Sequence, residues 1–509
     1  LNRRELIRNT LLAAGANVAT SGHALMDVSP SKDKPAPRTS DGPMPNILWI
    51  CADQQRADTI AALGNAKIRT PNLDKLVGQS TVFTNAFCQT PICGPSRGSF
   101  LTGRYPRETG LRSNAERIHD SERIVPRILA DYGYDCGLVG KLHLSPADHR
   151  IVEVRTDDGY RVFEWSHDLS DNWPGKNQWR NWLATQNVVW PEPPKGRHPA
   201  WGVPIDPKYT QTAWCAQEAI KFMREHPKDK PWLMSVNIYQ PHAPFHPTEE
   251  YLSHYKASDM PAPAYREGEL ANKPKHQQVD HQGAYGGTGM SFVKTSDEEH
   301  LLIKAAYYAM IEQVDTEVGR MMAALEELGM ADNTIVVYQS DHGEMQGDHG
   351  IYMKGPYFYD CLTRVPLIIR WPGHVKTQKI DALVELTDLA PTLLEAAGVP
   401  VPPGMQGRSL YPILTGKKTQ HRDSVYIEYY DAVAKYDPTP MATCVRTERY
   451  KCTYYQTLAT GELYDLQKDP GEFDNLWNVP QHAGEQMAMM EHLLARMIQS
   501  TDPLPLHQF

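Results

Sequence analysis

Three short apolar runs in this chain each lead into residues able to hold a cation or move a proton. Ile47–Ala52 runs into Asp53 and Gln54, Trp232–Tyr239 into Gln240, Pro241 and His242, and Thr334–Gln339 into Ser340, Asp341, His342 and Gly343. Carboxylate oxygens suit a hard divalent cation, and ligands of open α/β sheets bind beyond the carboxyl ends of the strands. One Asp after a strand commonly does no more than cap the next helix. Its repetition after separate runs favours a shared metal site. Three further groups carry nucleophilic, cationic or basic side chains: Cys93-Gly94-Pro95-Ser96-Arg97, Gly140-Lys141-Leu142-His143 and Lys354-Gly355-Pro356. Each has an ordinary alternative. Cys93 in a Gly-Pro turn would be a packed thiol, and Arg97 would brace its own loop. Lys141 would be a solvated strand-end charge, His143 and His242 satisfied structural histidines, and Lys354 a helix cap.

These residues need a scaffold, and the hydrophobic pattern predicts an α/β one. The apolar runs, together with Val365–Ile369, read as short parallel strands covered on both faces. A helix is predicted where Ile311, Val314, Val318, Met321, Leu325 and Leu328 recur on one face, closing at Gly329. Strands alternating with helices predict a doubly wound, mostly parallel sheet flanked by helices. No internal repeat or low-complexity tract interrupts the pattern.

A chain of 509 residues has room for a large core or for two domains. Its 22% charged and 41% hydrophobic residues are those of an ordinary globular protein. A net charge of -9 leaves no electrostatic footprint for nucleic acid, so any anion must be bound locally. The eight cysteines show no metal-ligand spacing. Setting Cys93 aside leaves an odd number, and mostly buried thiols are expected. At the start, Asn2-Arg3-Arg4-Glu5-Leu6-Ile7-Arg8 precedes the weakly apolar stretch from Thr10 to Ala16. Over residues 1–27 this resembles a twin-arginine export signal; a basic amphipathic helix is the plain alternative. The stretch is too short and too rich in Ala and Gly for a stable transmembrane helix. Residues 28–45, with five prolines, read as a tether. The expectation is an exported protein, periplasmic or secreted, without stable membrane insertion.

The segment Cys93–Arg97, followed by Leu101-Thr102-Gly103-Arg104, resembles position by position the signature of the type I sulfatases of the alkaline phosphatase superfamily. Gly140–His143 resembles that family's Gly-Lys-x-His element, and Pro241-His242-Ala243-Pro244 its Pro-His-x-Pro element. Ser340–Glu344, Gly347-Asp348-His349-Gly350 and Lys354–Pro356 are similar to its second metal and sulfate-binding block. Glu462–Leu466 with Asp469-Pro470 looks like its C-terminal subdomain. The resemblance runs from about Pro45 to Leu476. It implies a catalytic domain over 46–405 and a smaller C-terminal α+β subdomain over 406–509. It also implies oxidation of Cys93 to formylglycine by a formylglycine-generating enzyme that reads Pro95 and Arg97. The implied activity is removal of sulfate from a sulfated carbohydrate or an aryl sulfate.

Sulfate esters hydrolyse very slowly, and their charge repels anionic nucleophiles. A site must neutralise the sulfate oxygens, supply an oxygen nucleophile and protonate the departing alcohol. As the resemblance implies it, a hydroxyl of hydrated formylglycine at position 93 attacks sulfur in line. Arg97, Lys141 and Lys354 balance the sulfate charge, and Lys354 or His242 protonates the leaving oxygen. His143 takes the proton of the second hydroxyl, so that the hemiacetal expels sulfate. The implied ligands of one divalent ion are Asp53, Gln54, Cys93, Asp341 and His342, with calcium as the family's usual ion.

Two positions depart from the commonest pattern of the family. Gln54 stands where many members carry a second Asp, and His342 where many carry Asn. The His342 nitrogen shifts preference from calcium towards manganese. The Asp-Gln with Asp-His combination resembles a branch that includes phosphonate monoester and phosphodiester hydrolases, the alternative function. A third reading is a sugar-binding pseudoenzyme with unmodified Cys93. Six of the eleven tryptophans (Trp165, Trp173, Trp179, Trp182, Trp190 and Trp201) fall in one segment. Aromatic faces stack on sugar rings, which points to a sulfated sugar; the alternative is an apolar subcluster under a long insertion. Asp168, Asp171, Arg161 and Arg180 are candidate hydrogen-bonding partners of a sugar.

Overall fold

Ile47 through Ala52 are all buried within the first strand, β1 (Asn46–Ala52), as a strand covered on both faces requires. The computed structural model describes residues 44–501 apart from 148–149, 156, 171–172, 174–176, 197–198, 228 and 434–435. The expected export signal, most of the tether and Asp171 lie outside the described residues. Strand β1 is joined by β2 (Thr81–Phe83), β3 (Asp135–Gly140), β4 (Tyr160–Trp165), β5 (Trp232–Ile238), β6 (Thr334–Ser340), β7 (Leu367–Arg370) and β8 (Gln378–Ile380). The sheet order is β8-β2-β7-β6-β1-β5-β3-β4. In parallel register, Ile50 of β1 lies between Val236 of β5 and Tyr338 of β6. Strands β3 and β4 continue the parallel set beyond β5.

The parallel strand expected over Val365–Ile369 is corrected in two respects. Pro366 lacks the N–H that a ladder needs. It separates a two-residue strand, Arg364–Val365, which belongs to a different three-stranded sheet, from β7. Strand β7 then runs antiparallel to both of its neighbours, β6 and β2.

Helices cover both faces, so the sheet is doubly wound. On one side Leu48, Ile50, Met234, Val236 and Val336 pack with Trp214 of α2 (Gln211–Glu225) and with Val314, Val318 and Met321 of α3 (Asp297–Glu327). A capping box opens α3, Ser296 accepting from the Glu299 amide while the Glu299 carboxylate accepts from the Ser296 amide. Of its expected apolar stripe, Ile311, Val314, Val318, Met321 and Leu325 are buried and Leu328, the C-cap, is partly buried; Gly329, at φ 67°, follows it. On the other side Trp49, Leu233, Ile335 and Val337 pack with Phe100 and Leu101 of α1 (Cys93–Thr102) and with Leu129 and Leu393.

After the large sheet comes a four-stranded antiparallel meander: β9 (Ser424–Tyr430), β10 (Met441–Thr447), β11 (Tyr450–Tyr455) and β12 (Thr460–Asp465). Alternate side chains face opposite sides. Val425, Ile427 and Tyr429 pack with Phe87, Ile92 and Phe358, whereas Tyr426, Val445 and Leu463 meet Met489 and Leu493 of the C-terminal helix Ala483–Gln499. All eight cysteines are unpaired, and all but Cys361 are buried. Among the described residues no helix is long and apolar enough to cross a membrane.

Candidate active site

The carboxyl ends of β1, β5, β6 and β3 deliver the chemistry to one edge of the sheet. Strand β3 was not among the apolar runs read from the sequence, yet it supplies two of the residues. Gly140 ends it at φ 93°, and a Cβ there would lie 1.9 Å from the Asn237 carbonyl oxygen. Only glycine permits that approach. The Lys141 amide then donates to the same carbonyl at 3.0 Å, which turns Lys141 and His143 towards the end of β1. Cys93 is the first residue of its helix, where the helix dipole favours negative charge. All ten residues of that helix are buried, so packing holds the reactive position at the floor of the cleft it faces.

Ligand atoms of Asp53, Cys93, Asp341 and His342 lie within 4.8 Å of one another, and all four residues are buried. The Cys93 sulfur is 3.6 Å from Asp53 Oδ1 and 3.1 Å from His342 Nε2. His342 Nδ1 lies 2.8 Å from the Gly343 carbonyl oxygen; a proton donated there leaves Nε2 with its lone pair towards the cluster. Gln54 turns its Oε1 to the Lys354 ammonium at 2.9 Å, and its amide nitrogen donates to Glu344. Two carboxylates, an imidazole nitrogen and an amide oxygen converging beside residue 93 fit one divalent cation.

Three buried cations surround this set. Arg97 donates from Nε to Asp341 at 3.0 Å, from one terminal nitrogen to the Lys141 carbonyl at 2.7 Å and from the other to Asp53 at 3.3 Å. Lys141 is an ion-pair partner of Asp53 at 2.5 Å, not a solvated charge. Lys354 stands 2.7 Å from the Cys93 sulfur and 3.0 Å from His242 Nε2. Burial pushes the Cys93 thiol up, but the Lys141 and Lys354 ammonium groups outweigh it and hold the group well below its ordinary value. Burial and the Cys93 sulfur likewise raise Asp53, and Lys141, His242 and Arg97 bring it down to about 2. Burial, with Lys141 beside it, lowers His143 to about 4, which leaves a neutral imidazole. Neither ring nitrogen of His143 completes a hydrogen bond by geometry among the described residues, although the Cys93 sulfur beside it opposes the downward shift.

Cys93, Lys141, His143, His242 and Lys354 face a cleft of about 650 Å³. Arg97, Asp53, Asp341 and His342 lie beneath it. Asp53, Gln54, Cys93, Arg97, Lys141, His143, His242, Asp341, His342 and Lys354 are thus drawn into one cluster. His349 is not: it pairs with Glu269 at 3.0 Å and stacks on Tyr359. The tryptophan segment is also corrected. Trp165, Trp173 and Trp179 are buried in the two cores, Trp182 and Trp190 pack against one of them, Trp201 meets His246, and no tryptophan lines the cleft. Arg161 pairs with Asp135, and Arg180 lies over Trp179; of the sugar-contact candidates among the described residues, Asp168 alone reaches the cleft wall.

Several residues of the site escaped the sequence reading. Asn114 accepts from the Gly94 amide at 3.0 Å, and Glu153 accepts from the amides of His143 and Leu144 at 2.9 Å each. Tyr239 and Tyr285 line the cleft. Glu344 was visible as part of the Asp341-His342-Gly343 segment and Tyr239 as the end of the Trp232–Tyr239 run; Asn114, Glu153 and Tyr285 sit in no motif or periodic pattern.

The family description "Sulfatase" matches residues 45–399, and "N-sulphoglucosamine sulphohydrolase, C-terminal" matches residues 347–499. The chain belongs to the sulfatase family of the alkaline phosphatase superfamily. It is 28% identical to an arylsulfatase of Clostridium perfringens over 90% of this chain and 95% of that one. It is 26% identical to an N-acetylglucosamine-6-O-sulfatase of Bacteroides thetaiotaomicron over 90% of this chain and 87% of that one. The crystal structure of a phosphonate monoester hydrolase of Agrobacterium radiobacter superposes with a TM-score of 0.77 at 29% identity, covering 90% of this chain and 96% of the other.

Proposed function

We propose that this enzyme removes sulfate from a sulfated carbohydrate, accepting aryl sulfates as well, and uses a formylglycine matured from Cys93. The observation that carries the reading is the positive, enclosed position at residue 93. Three cations and a helix N-terminus favour an anion there, although burial alone would forbid one. The thiol sulfur stands in for an oxygen of the aldehyde hydrate, and the same field would favour its deprotonated form.

A divalent ion held by Asp53, Gln54, Asp341, His342 and residue 93, calcium or manganese, would supply Lewis-acid polarisation of the sulfate oxygens. Arg97 aims its donors at Asp341, Asp53 and the Lys141 carbonyl. It acts on substrate by fixing the two carboxylates. Lys141 and Lys354 face the cleft and neutralise the sulfate. His242 Nδ1 lies 2.6 Å from the Ala243 carbonyl oxygen, so Nε2 is the acceptor that faces Lys354. Lys354 is therefore the group with a proton to give to the leaving alcohol, and His242 orients it. His143, neutral and unpaired, accepts the proton of the second hydroxyl, and the hemiacetal collapses to aldehyde and sulfate. The segment Cys93–Arg97 is buried, so a formylglycine-generating enzyme must act before the helix packs. The paired arginines near the start of the sequence support export to the periplasm or beyond.

The structural similarity to a phosphonate monoester hydrolase supports a second reading. Sulfate monoesters, phosphonate monoesters and phosphodiesters each carry one negative charge, whereas a phosphate monoester carries two near neutral pH. A site with two buried carboxylates should accept the monoanions and disfavour the dianion. Parallel kcat/KM measurements on matured protein decide: sulfated sugars and aryl sulfates are expected to lead, phosphodiesters and phosphonate monoesters to trail. A phosphonate monoester or phosphodiester outrunning every sulfate ester tested establishes the second reading.

A further inference from the structure

The segment from Gly283 to Gly289 (Gly-Ala-Tyr-Gly-Gly-Thr-Gly) forms part of the cleft wall through Tyr285 and Thr288. Tyr285 has left-handed backbone angles, φ 59° and ψ 50°. For a bulky residue this costs on the order of 1 kcal/mol and persists only where the surroundings impose it. Here they do. The Gly286 amide donates to Asp280 Oδ1 at 2.8 Å, and the Asp280 Oδ2 accepts from Tyr357 and Tyr436 at 3.2 and 2.9 Å. The Gly287 amide donates to the Gly283 carbonyl at 2.7 Å, and the Gly289 amide to the Ala284 carbonyl at 2.6 Å. A Cβ at Gly283 would lie 2.8 Å from the Gly287 oxygen, and one at Gly289 2.9 Å from the Ala284 oxygen. The loop is closed too tightly to accept side chains at those two places.

This strain does not secure an internal bond. The Tyr285 hydroxyl makes no hydrogen bond to a described residue, although burial and the neighbouring Glu344, Cys93 and Asp53 push its pKa well up and keep it protonated. It is a held donor facing the cleft above residue 93. Proton delivery to the leaving oxygen already has Lys354 and His242. Arg150 also lines the cleft, held through one terminal nitrogen by Asp168 and Ser170, whereas Tyr285 brings a donor with no partner of its own among the described residues.

We propose that Tyr285 is a specificity-determining residue whose hydroxyl donates a hydrogen bond to an oxygen of the sugar bearing the scissile sulfate, the Gly283–Gly289 loop and Asp280 holding it in place. The proposal rests on the sulfated-carbohydrate reading above. Tyr285→Phe removes one oxygen that bonds nothing in the protein, so the variant should fold and keep its melting temperature. With matured protein, it should lose about tenfold in kcat/KM on a sulfated monosaccharide, mainly through KM, the worth of one ordinary hydrogen bond. On phenyl sulfate, which carries no oxygen beyond the ester, it should stay within twofold. Among singly deoxygenated analogues of the sugar, one should be as poor for the parent enzyme as the full sugar is for Tyr285→Phe, with no further loss when the two changes are combined. Equal losses on sugar and aryl sulfate would move the hydroxyl to the reacting centre and overturn the proposal, as would no loss on either. A parent enzyme that cleaves aryl sulfates but no sulfated sugar would overturn the carbohydrate reading and the subsite together; one that cleaves sugars with Tyr285→Phe unaffected would overturn the subsite alone.

Discussion

Two clusters of buried charge in this molecule use the same residue types for opposite ends. One surrounds Cys93. The other ties residues 385–388 to the C-terminal meander and is built from Glu385, Asp388, Arg422 and Arg496 with Tyr105. In the second, Glu385 Oε1 accepts from Arg496 and the Tyr426 amide at 2.8 Å each, and Oε2 accepts from Tyr105 and Arg422 at 2.6 Å each. Asp388 Oδ1 accepts from the Arg408 amide at 2.7 Å and from Arg422, and Oδ2 from the Glu385 amide at 2.9 Å and from His421 at 3.0 Å. All four carboxylate oxygens are engaged at least twice, and the one unpaired donor of the set, Arg422 Nε, is enclosed in the packed interior. Around Cys93 the carboxylates are held as firmly, but His143 is left unpaired, Lys354 leans on a sulfur, and a cleft opens above them. Burial and charge pairing are common to both; an unspent donor or acceptor facing space marks the reactive one.

The contrast predicts opposite mutant phenotypes. Cys93→Ala should lower kcat on sulfate esters by at least about a thousandfold, since the nucleophile itself is lost. Its thermal unfolding should match the parent in the same metal-bound state. Glu385→Ala should do the reverse. Leaving Arg422 and Arg496 buried without their partner costs about 3–5 kcal/mol, seen as a lower denaturant midpoint, while KM of the folded enzyme is unchanged. If Cys93→Ala unfolds, or if Glu385→Ala loses turnover at full stability, the division between the two clusters fails.

The proposed metal sharpens the comparison. Chelation should abolish activity and lower the melting temperature by ligand linkage, and the Glu385 cluster should be indifferent to it. Asp341→Asn should weaken metal retention in equilibrium dialysis more than Gln54→Ala, because it removes a full charge. Equal retention in the two variants would place the ion elsewhere.

The smallest expected effect concerns pH. Burial raises Asp280 to about 6 from its ordinary 3.8. The folded state therefore holds its proton more tightly than the unfolded one. Its contribution to stability is complete below pH 4 and is lost as pH rises through about 6. Asp280→Asn cannot ionise. Its stability relative to the parent should climb between pH 4 and pH 7, by up to about 3 kcal/mol; a flat difference would show that Asp280 titrates normally.

Legibility followed how each residue is held. Asp53, Gln54, His242, Asp341 and His342 follow strands whose runs are uninterrupted, and Cys93, Arg97, Lys141, His143 and Lys354 sit in short motifs with distinctive neighbours. Strand β3 was hidden because Asp135, Gly137 and Gly140 break its run, although Gly140 is what aims Lys141. Tyr285, Asn114 and Glu153 are placed by turns and by distant partners, which leave no period in the sequence. The tryptophans misled because the same aromatic area that stacks on sugars also fills cores, and Trp165, Trp173 and Trp179 are sealed in. Pro366 was visible, and its effect on β7 could have been anticipated from the missing donor.

Mass spectrometry of the peptide containing residue 93, in protein whose turnover of a sulfate ester has been measured, tests the central claim most directly. Active protein should carry the aldehyde or its hydrate in place of the thiol, with activity rising in proportion to the converted fraction. Full activity in protein whose Cys93 is wholly an unmodified thiol would contradict it.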